Sequence, residues 1–293
     1  MLLGAVFSIL VVLLGLAAFA LYFRVSGKTF DSAGVPIHYT DQGSGTPVVL
    51  VHGFGVQSDI NWRWPGCIRR LRSRGYRVIA MDVRGHGRSG KPHDPKDYGA
   101  ELSDDIVRLM DHLGIAKAHI AGYSMGGFIV LKTVERHPDR LLSAVIGAAG
   151  WSVLDERYQT LIGEIASAIE QHRRVDPITH WLHHTKRAPW LNVFLANFFL
   201  RRINDFDALV NVFKTFDALE VGEDSLRRNA VPVMTLVGDR DGIRETSDRL
   251  PGLMARHELV YVPGGDHVTA LLKPLFISSM IAFFDRNSPA CSA

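Results

Sequence analysis

An α/β fold, a mostly parallel sheet with helices on both faces, is the class the sequence predicts, and three observations predict it. Short β-type apolar runs alternate with helix-compatible runs through residues 29–150 and again through 230–286. One such run, Ala118 to Ala121, leads through a glycine-flanked serine straight into a helix-compatible run, Phe128 to Arg136. Two later runs end in loops that carry Asp and His, at the strand edge where open α/β sheets place their sites.

The elements follow in order. Residues 1–23 carry no charged side chain. As a helix that length rises about 34 Å, enough to cross a ~30 Å hydrocarbon core. Tyr22 and Phe23 fall where an interfacial belt is expected, with Arg24 and Lys28 after them. The stretch reads as a single-pass membrane anchor, with residues 24–28 as a linker. The positive-inside rule then puts the remaining chain on the cytoplasmic face. Ala18-Phe19-Ala20 offers the alternative of a cleaved signal peptide and a secreted or periplasmic domain, but no Lys or Arg precedes the run.

Lys28 to Phe30 and Val35 to Tyr39 read as an opening strand pair around the turn-forming Asp31-Ser32-Ala33-Gly34. Val48 to Val51 and Arg77 to Met81 read as buried strands, with a helix at Cys67 to Arg74 between them. Ser103 is placed to cap a helix running through Leu113, closed by Gly114. Leu141 to Ile146, Val231 to Val237 and Glu258 to Val262 complete the strands, and Glu245 to Arg256 and Leu271 to Asp285 suit the last helices. Residues 287–293 read as a tail. From 151 to 229 the alternation stops and the pattern is helical throughout.

Gly122-Tyr123-Ser124-Met125-Gly126 is a G-x-S-x-G elbow in the context it requires, strand before and helix after. A serine hydroxyl needs a base to take its proton and a third group to hold that base. Gly238-Asp239-Arg240-Asp241-Gly242 and Pro263-Gly264-Gly265-Asp266-His267 supply candidates for both.

With these motifs, His52-Gly53-Phe54-Gly55 and the run Asp82 to Ser89 (DVRGHGRS), residues 29–286 resemble the α/β-hydrolase family. The resemblance implies an eight-stranded, mostly parallel sheet with helices on both faces, and a helical cap at 151–229 inserted between core segments 29–150 and 230–286. It implies Ser124 as nucleophile, His267 as base, Asp241 as orienting acid, and the backbone N–H groups of Phe54 and Met125 as the oxyanion hole. Asp239 is the rival acid; the family's Gly-x-x-Asp spacing favours Asp241. The position after the preceding strand reads Gly147-Ala148-Ala149-Gly150 and offers no carboxylate.

Serine at the elbow disfavours the dehalogenase and epoxide hydrolase chemistries of this fold, which use aspartate there, and suits acyl transfer without a cofactor. His86 and His52 read as loop-shaping residues and His119 as a core or edge residue. No zincin spacing is present, so no metal is expected. Net charge is +3, too little to imply a nucleic-acid partner, and Cys67 and Cys291 form no metal or redox motif.

Within the cap, Pro189 to Leu200 is strongly apolar and flanked by Lys186-Arg187 and Arg201-Arg202, with Trp181 and His183-His184 upstream. It reads as core packing, as an acyl-binding wall or as an interfacial helix. Charges inserted there, as in Phe194→Asp or Phe198→Asp, should then hurt long acyl substrates more than acetate esters. The leading expectation is a membrane-anchored hydrolase of small-molecule carboxylic esters, lipid-like esters included. The alternatives are a carbon–carbon hydrolase of ring-cleavage products, served by cations such as Arg187 or Arg201, and a non-catalytic ligand-binding member of the fold.

Overall fold

In the computed structural model, residues 27–152, 156–173 and 204–289, with Ile178, Asn197 and Leu200, are described. The apolar stretch 1–23 and most of 174–203 lie outside these residues, and with them the expected anchor and nearly all of Pro189 to Leu200. Among the described residues no helix is long and apolar enough to cross a membrane.

Eight strands form one sheet: β1 (Lys28–Ser32), β2 (Val35–Gln42), β3 (Pro47–Val51), β4 (Arg77–Met81), β5 (Ala118–Tyr123), β6 (Leu141–Gly147), β7 (Val233–Gly238) and β8 (His257–Val262). Their spatial order is β1-β2-β4-β3-β5-β6-β7-β8. β2 pairs antiparallel with both β1 and β4, and every other pairing is parallel. The central strands carry apolar side chains on both faces because both faces are covered by helices. Val48, Val49, Leu50 and Val51 of β3 are all fully buried. Each such side chain contributes about 1.5–3 kcal/mol by leaving water.

The core helices are α1 (Cys67–Ser73), α2 (Glu101–His112), α3 (Met125–Arg136), α7 (Arg244–Asp248) and α8 (Pro274–Asn287). Those described within 151–229 are α4 (Glu156–His172), α5 (Phe206–Lys214) and α6 (Glu223–Arg228). Two apolar clusters lie on opposite sheet faces. One takes α2, α3, α4 and α5, the other α1 and α8.

Three expectations need correction. Ser103 does not cap α2: the helix opens two residues earlier, and the Ser103 hydroxyl donates to the Ala100 carbonyl at 2.7 Å from a buried position. Glu245 to Arg256 is not one helix. α7 spans five residues, and the chain then turns through Pro251-Gly252, where φ of +83° at Gly252 is incompatible with helix. The strand at residue 28 begins inside the expected linker.

Candidate active site

The elbow is built by close backbone approach. β5 is buried along its whole length between β3 and β6 and stops at Ser124, whose φ of 54° and ψ of −122° are strained for a residue with a side chain. Such a conformation costs on the order of 1–3 kcal/mol and needs a rigid surround. That surround admits only glycine on either side. A Cβ at Gly122 would stand 2.0 Å from the Gly126 carbonyl oxygen, and one at Gly126 would stand 2.4 Å from that of Val51. The Ser124 amide donates to Gly147 at 2.8 Å, which ties the turn to β6.

Loops beyond β7 and β8 bring two side chains to this serine. His267 Nε2 lies 2.9 Å from Ser124 Oγ. On its other side, His267 Nδ1 lies 3.0 and 3.1 Å from the two oxygens of Asp241. An acceptor-only carboxylate at Nδ1 selects the tautomer that donates from Nδ1, which leaves Nε2 to accept from the serine hydroxyl. Asp241 and His267 are 1% and 7% exposed, so the pair is shielded from water. Asp241 also accepts from the Ile243 amide at 3.0 Å. Asp239, the rival acid, is exposed, and it is its backbone carbonyl that Arg244 contacts.

The loop after β3 carries Gly53 and Phe54 to the same place. Asn61 accepts from the Gly53 amide at 2.7 Å. His52 bridges from its Nδ1 to the Gly53 carbonyl at 2.7 Å, and its Nε2 accepts from the Val83 amide at 2.9 Å. Burial pushes the His52 pKa down, consistent with this neutral bridging role. Phe54 packs edge-on against His86 and Phe213 at 5.5 and 4.6 Å between centroids.

Asp82 braces the next loop. Its carboxylate accepts from the Ser58 amide and hydroxyl and from the Arg88 amide at 2.7–3.0 Å, with the His38 ring 3.2 Å away. Burial alone would raise this carboxyl, but the His38 ring and these donors hold it well below the usual carboxylate range. Burial pushes His86 down to about 3, so it stays neutral, and it is not a lining residue of the cavity described next. Arg84 and Asp105 form a buried bidentate pair at 2.6–2.7 Å, which ties this loop to α2. His119 is a core residue held between the hydroxyls of Ser143 and Ser288.

Ser124, His267, Phe54 and Met125 all line one cavity of about 420 Å³. Its remaining walls are almost wholly apolar, from Phe128, Ile162, Phe213 and Phe216 on the side of α3, α4 and α5 to Trp64 and Leu272 at the rim. Among the described residues no Arg, Lys, Asp or Glu lines it. Two contributors escape motif reading. Asn61 is signalled only as a polar residue within the apolar run Ile60 to Trp62. Tyr123, the variable position of the elbow, donates its phenol to the His267 carbonyl at 2.8 Å. His93, Asp205 and Asp207 bring ligand atoms within 4.8 Å of one another, a composition that could take a metal ion. Here Asp205 holds His93 at 2.9 Å, and Asp207 holds Arg173 at 2.7 Å.

A family model described as the alpha/beta hydrolase fold matches residues 46–274. A dihydrolipoyllysine-residue acetyltransferase component of an acetoin cleaving system from Pseudomonas putida is 47% identical over 107 residues, 36% of this chain and 28% of that protein. A 2-hydroxymuconate semialdehyde hydrolase from the same organism is 33% identical over 156 residues, 53% of this chain and 55% of that protein. The chain thus matches little more than a quarter and about half of these two relatives' lengths. Among solved structures, an esterase from Exiguobacterium antarcticum superposes with a TM-score of 0.74 at 20% identity, over 89% of this chain and all of that one, a likeness of fold. With the family model spanning most of its length, this chain belongs to the alpha/beta hydrolase fold family.

Proposed function

We propose that the chain is a serine hydrolase that cleaves carboxylic esters through an acyl-enzyme. The observation that carries this is the unbroken contact series Ser124 Oγ, His267 Nε2, His267 Nδ1, Asp241. In this reading His267 takes the hydroxyl proton as Ser124 attacks the ester carbonyl, and Asp241 stabilises the imidazolium that forms. The tetrahedral oxyanion is held by the Phe54 and Met125 amides at the positive end of α3. His267 returns the proton to the leaving alcohol. A water, deprotonated by the same ring, then releases the acid and regenerates the serine.

An apolar, uncharged wall suits an acyl chain, which supports a lipid-like ester among the substrates. We take residues 151–229 as the cap that supplies one side of that wall, and residues 1–23 as the membrane tether. The likeness to a 2-hydroxymuconate semialdehyde hydrolase keeps carbon–carbon hydrolysis as a second reading. Such a substrate is anionic, and Arg187 and Arg201, the cations expected to meet it, lie outside the described residues.

Labelling with a fluorophosphonate probe tests the nucleophile: wild type should be modified at Ser124 and Ser124→Ala not at all. Turnover of p-nitrophenyl esters of graded acyl length, set against absorbance loss of a ring-cleavage product, separates the two readings. An unlabelled wild-type Ser124, with no turnover of either substrate, would sink both.

A further inference from the structure

The cavity opens through a rim unlike the rest of the surface. Trp64 is 49% exposed, Val268 65% and Leu272 60%, and all three line the cavity that holds Ser124 and His267. Leu275, 41% exposed, follows one turn later at the start of α8. Every exposed large hydrophobic side chain among the described residues belongs to this group except Tyr261. α1 begins three residues after Trp64 and packs on α8, so the two apolar segments share one corner of the molecule.

Cations flank that corner. The Arg69 guanidinium folds back over Gly66, 3.6 Å from where a Cβ would stand, in the segment that follows Trp64 and Pro65. Lys273 lies between Leu272 and Leu275, with its Nζ near Gly264. Arg70 and Arg74 line a hollow between α1 and α8 with Ile277, Ser278 and Ile281. Among the described residues none of these four cations has a carboxylate partner. The neighbouring acids are engaged elsewhere: Asp59 with Arg63 and Arg88, Asp266 with the amides of Val268 and Thr269.

An apolar patch with cations beside it that have no carboxylate partner among the described residues matches an anionic lipid surface, where rings and aliphatic chains enter the acyl boundary and cations meet headgroups. We propose that this rim is a docking face for an anionic phospholipid bilayer, seated so that the cavity mouth opens onto the lipid. The inference deepens the ester hydrolase reading by giving its lipid-like substrate a route of entry. Docking itself needs no turnover, so the two readings fail separately.

The test uses the full chain carrying Cys291→Ser and Leu275→Cys, labelled at residue 275 with an environment-sensitive nitrobenzoxadiazole. Leu275 does not line the cavity, and the remaining cysteine, Cys67, is buried. The protein is reconstituted into phosphatidylcholine vesicles with or without about 30% phosphatidylserine. Docking predicts blue-shifted emission in the anionic vesicles, quenched by lipids brominated in the acyl chain. Adding Arg69→Glu and Lys273→Glu should cut the quenching at least severalfold while leaving the thermal melt in place. Emission that stays water-like in anionic vesicles overturns the proposal. So does a blue shift that brominated lipid fails to quench, which would mean that residues 1–23 or a second copy covers the rim.

Discussion

The two sides of the cavity are built by different physics. On the strand side, Ser124, His267, Asp241 and Asn61 are fixed by directional bonds of 2.7–3.1 Å, two of them from backbone amides. On the helical side, Ile162 of α4 and Phe213 of α5 meet the same space, and among the described residues of that side no polar group is aimed into it. Directional bonds fail in an all-or-none way when one partner is lost, whereas dispersion and burial change by increments. In the ester hydrolase reading proposed above, the chemistry belongs to the rigid side and preference among substrates to the side that tolerates change.

The contrast can be broken or sharpened by substitution. Ser124→Ala should have the largest effect, lowering kcat for an ester by roughly 10⁴-fold or more with the fold intact. Near-normal turnover would remove the relay from the mechanism. Asp241→Asn should come next, at roughly 10³–10⁴-fold, because an amide at that position no longer selects the Nδ1-protonated ring. Asp239→Asn should leave kcat within about twofold, and a larger loss would reopen the choice of acid. On the apolar side, Ile162→Asp should lower kcat/KM for a long-chain ester by roughly tenfold and for an acetate ester far less. Equal losses on both would mean general destabilisation rather than a local wall.

Smallest and most diffuse is the response to acid. Burial holds His86 at about 3 and His119 and His257 at about 4 in the folded chain, well below the ordinary histidine value. The unfolded chain therefore binds more protons at these positions below that ordinary value, so their contribution to stability is complete above pH ~6.5 and is lost as pH drops toward 4. Each such histidine steepens the fall by up to about 1.4 kcal/mol per pH unit. Denaturant unfolding of His119→Gln should show a shallower loss between those limits, and an unchanged slope would remove His119 from the account.

The strand side was the more legible of the two from sequence. An elbow glycine that would clash through a Cβ, or a loop Asp three residues past a strand-ending glycine, leaves a mark at fixed spacing. Asp82 and Arg84 lay within a recognised run, yet their buried partners Ser58 and Asp105 come from other segments. Asn61 acts through a single bond to a backbone amide eight residues back, and Tyr123 through one to a carbonyl in a distant loop, neither of which a recognised motif encodes. Ser103 shows the opposite failure: a good capping residue was overridden when its hydroxyl was buried against the preceding turn. The rim at Trp64 and Leu272 was illegible because exposure belongs to the folded surface, and nothing in an apolar letter says which way it faces.

The phenol of Tyr123 holds the carbonyl of His267, and Tyr123 is the immediate neighbour of Ser124. The hydroxyl of Ser124 and the ring of His267 are thus tied to the same strand end despite the 143 positions between them. Warming should then extinguish ester turnover and cooperative structure at one common temperature, and turnover lost well below the melt would break this coupling.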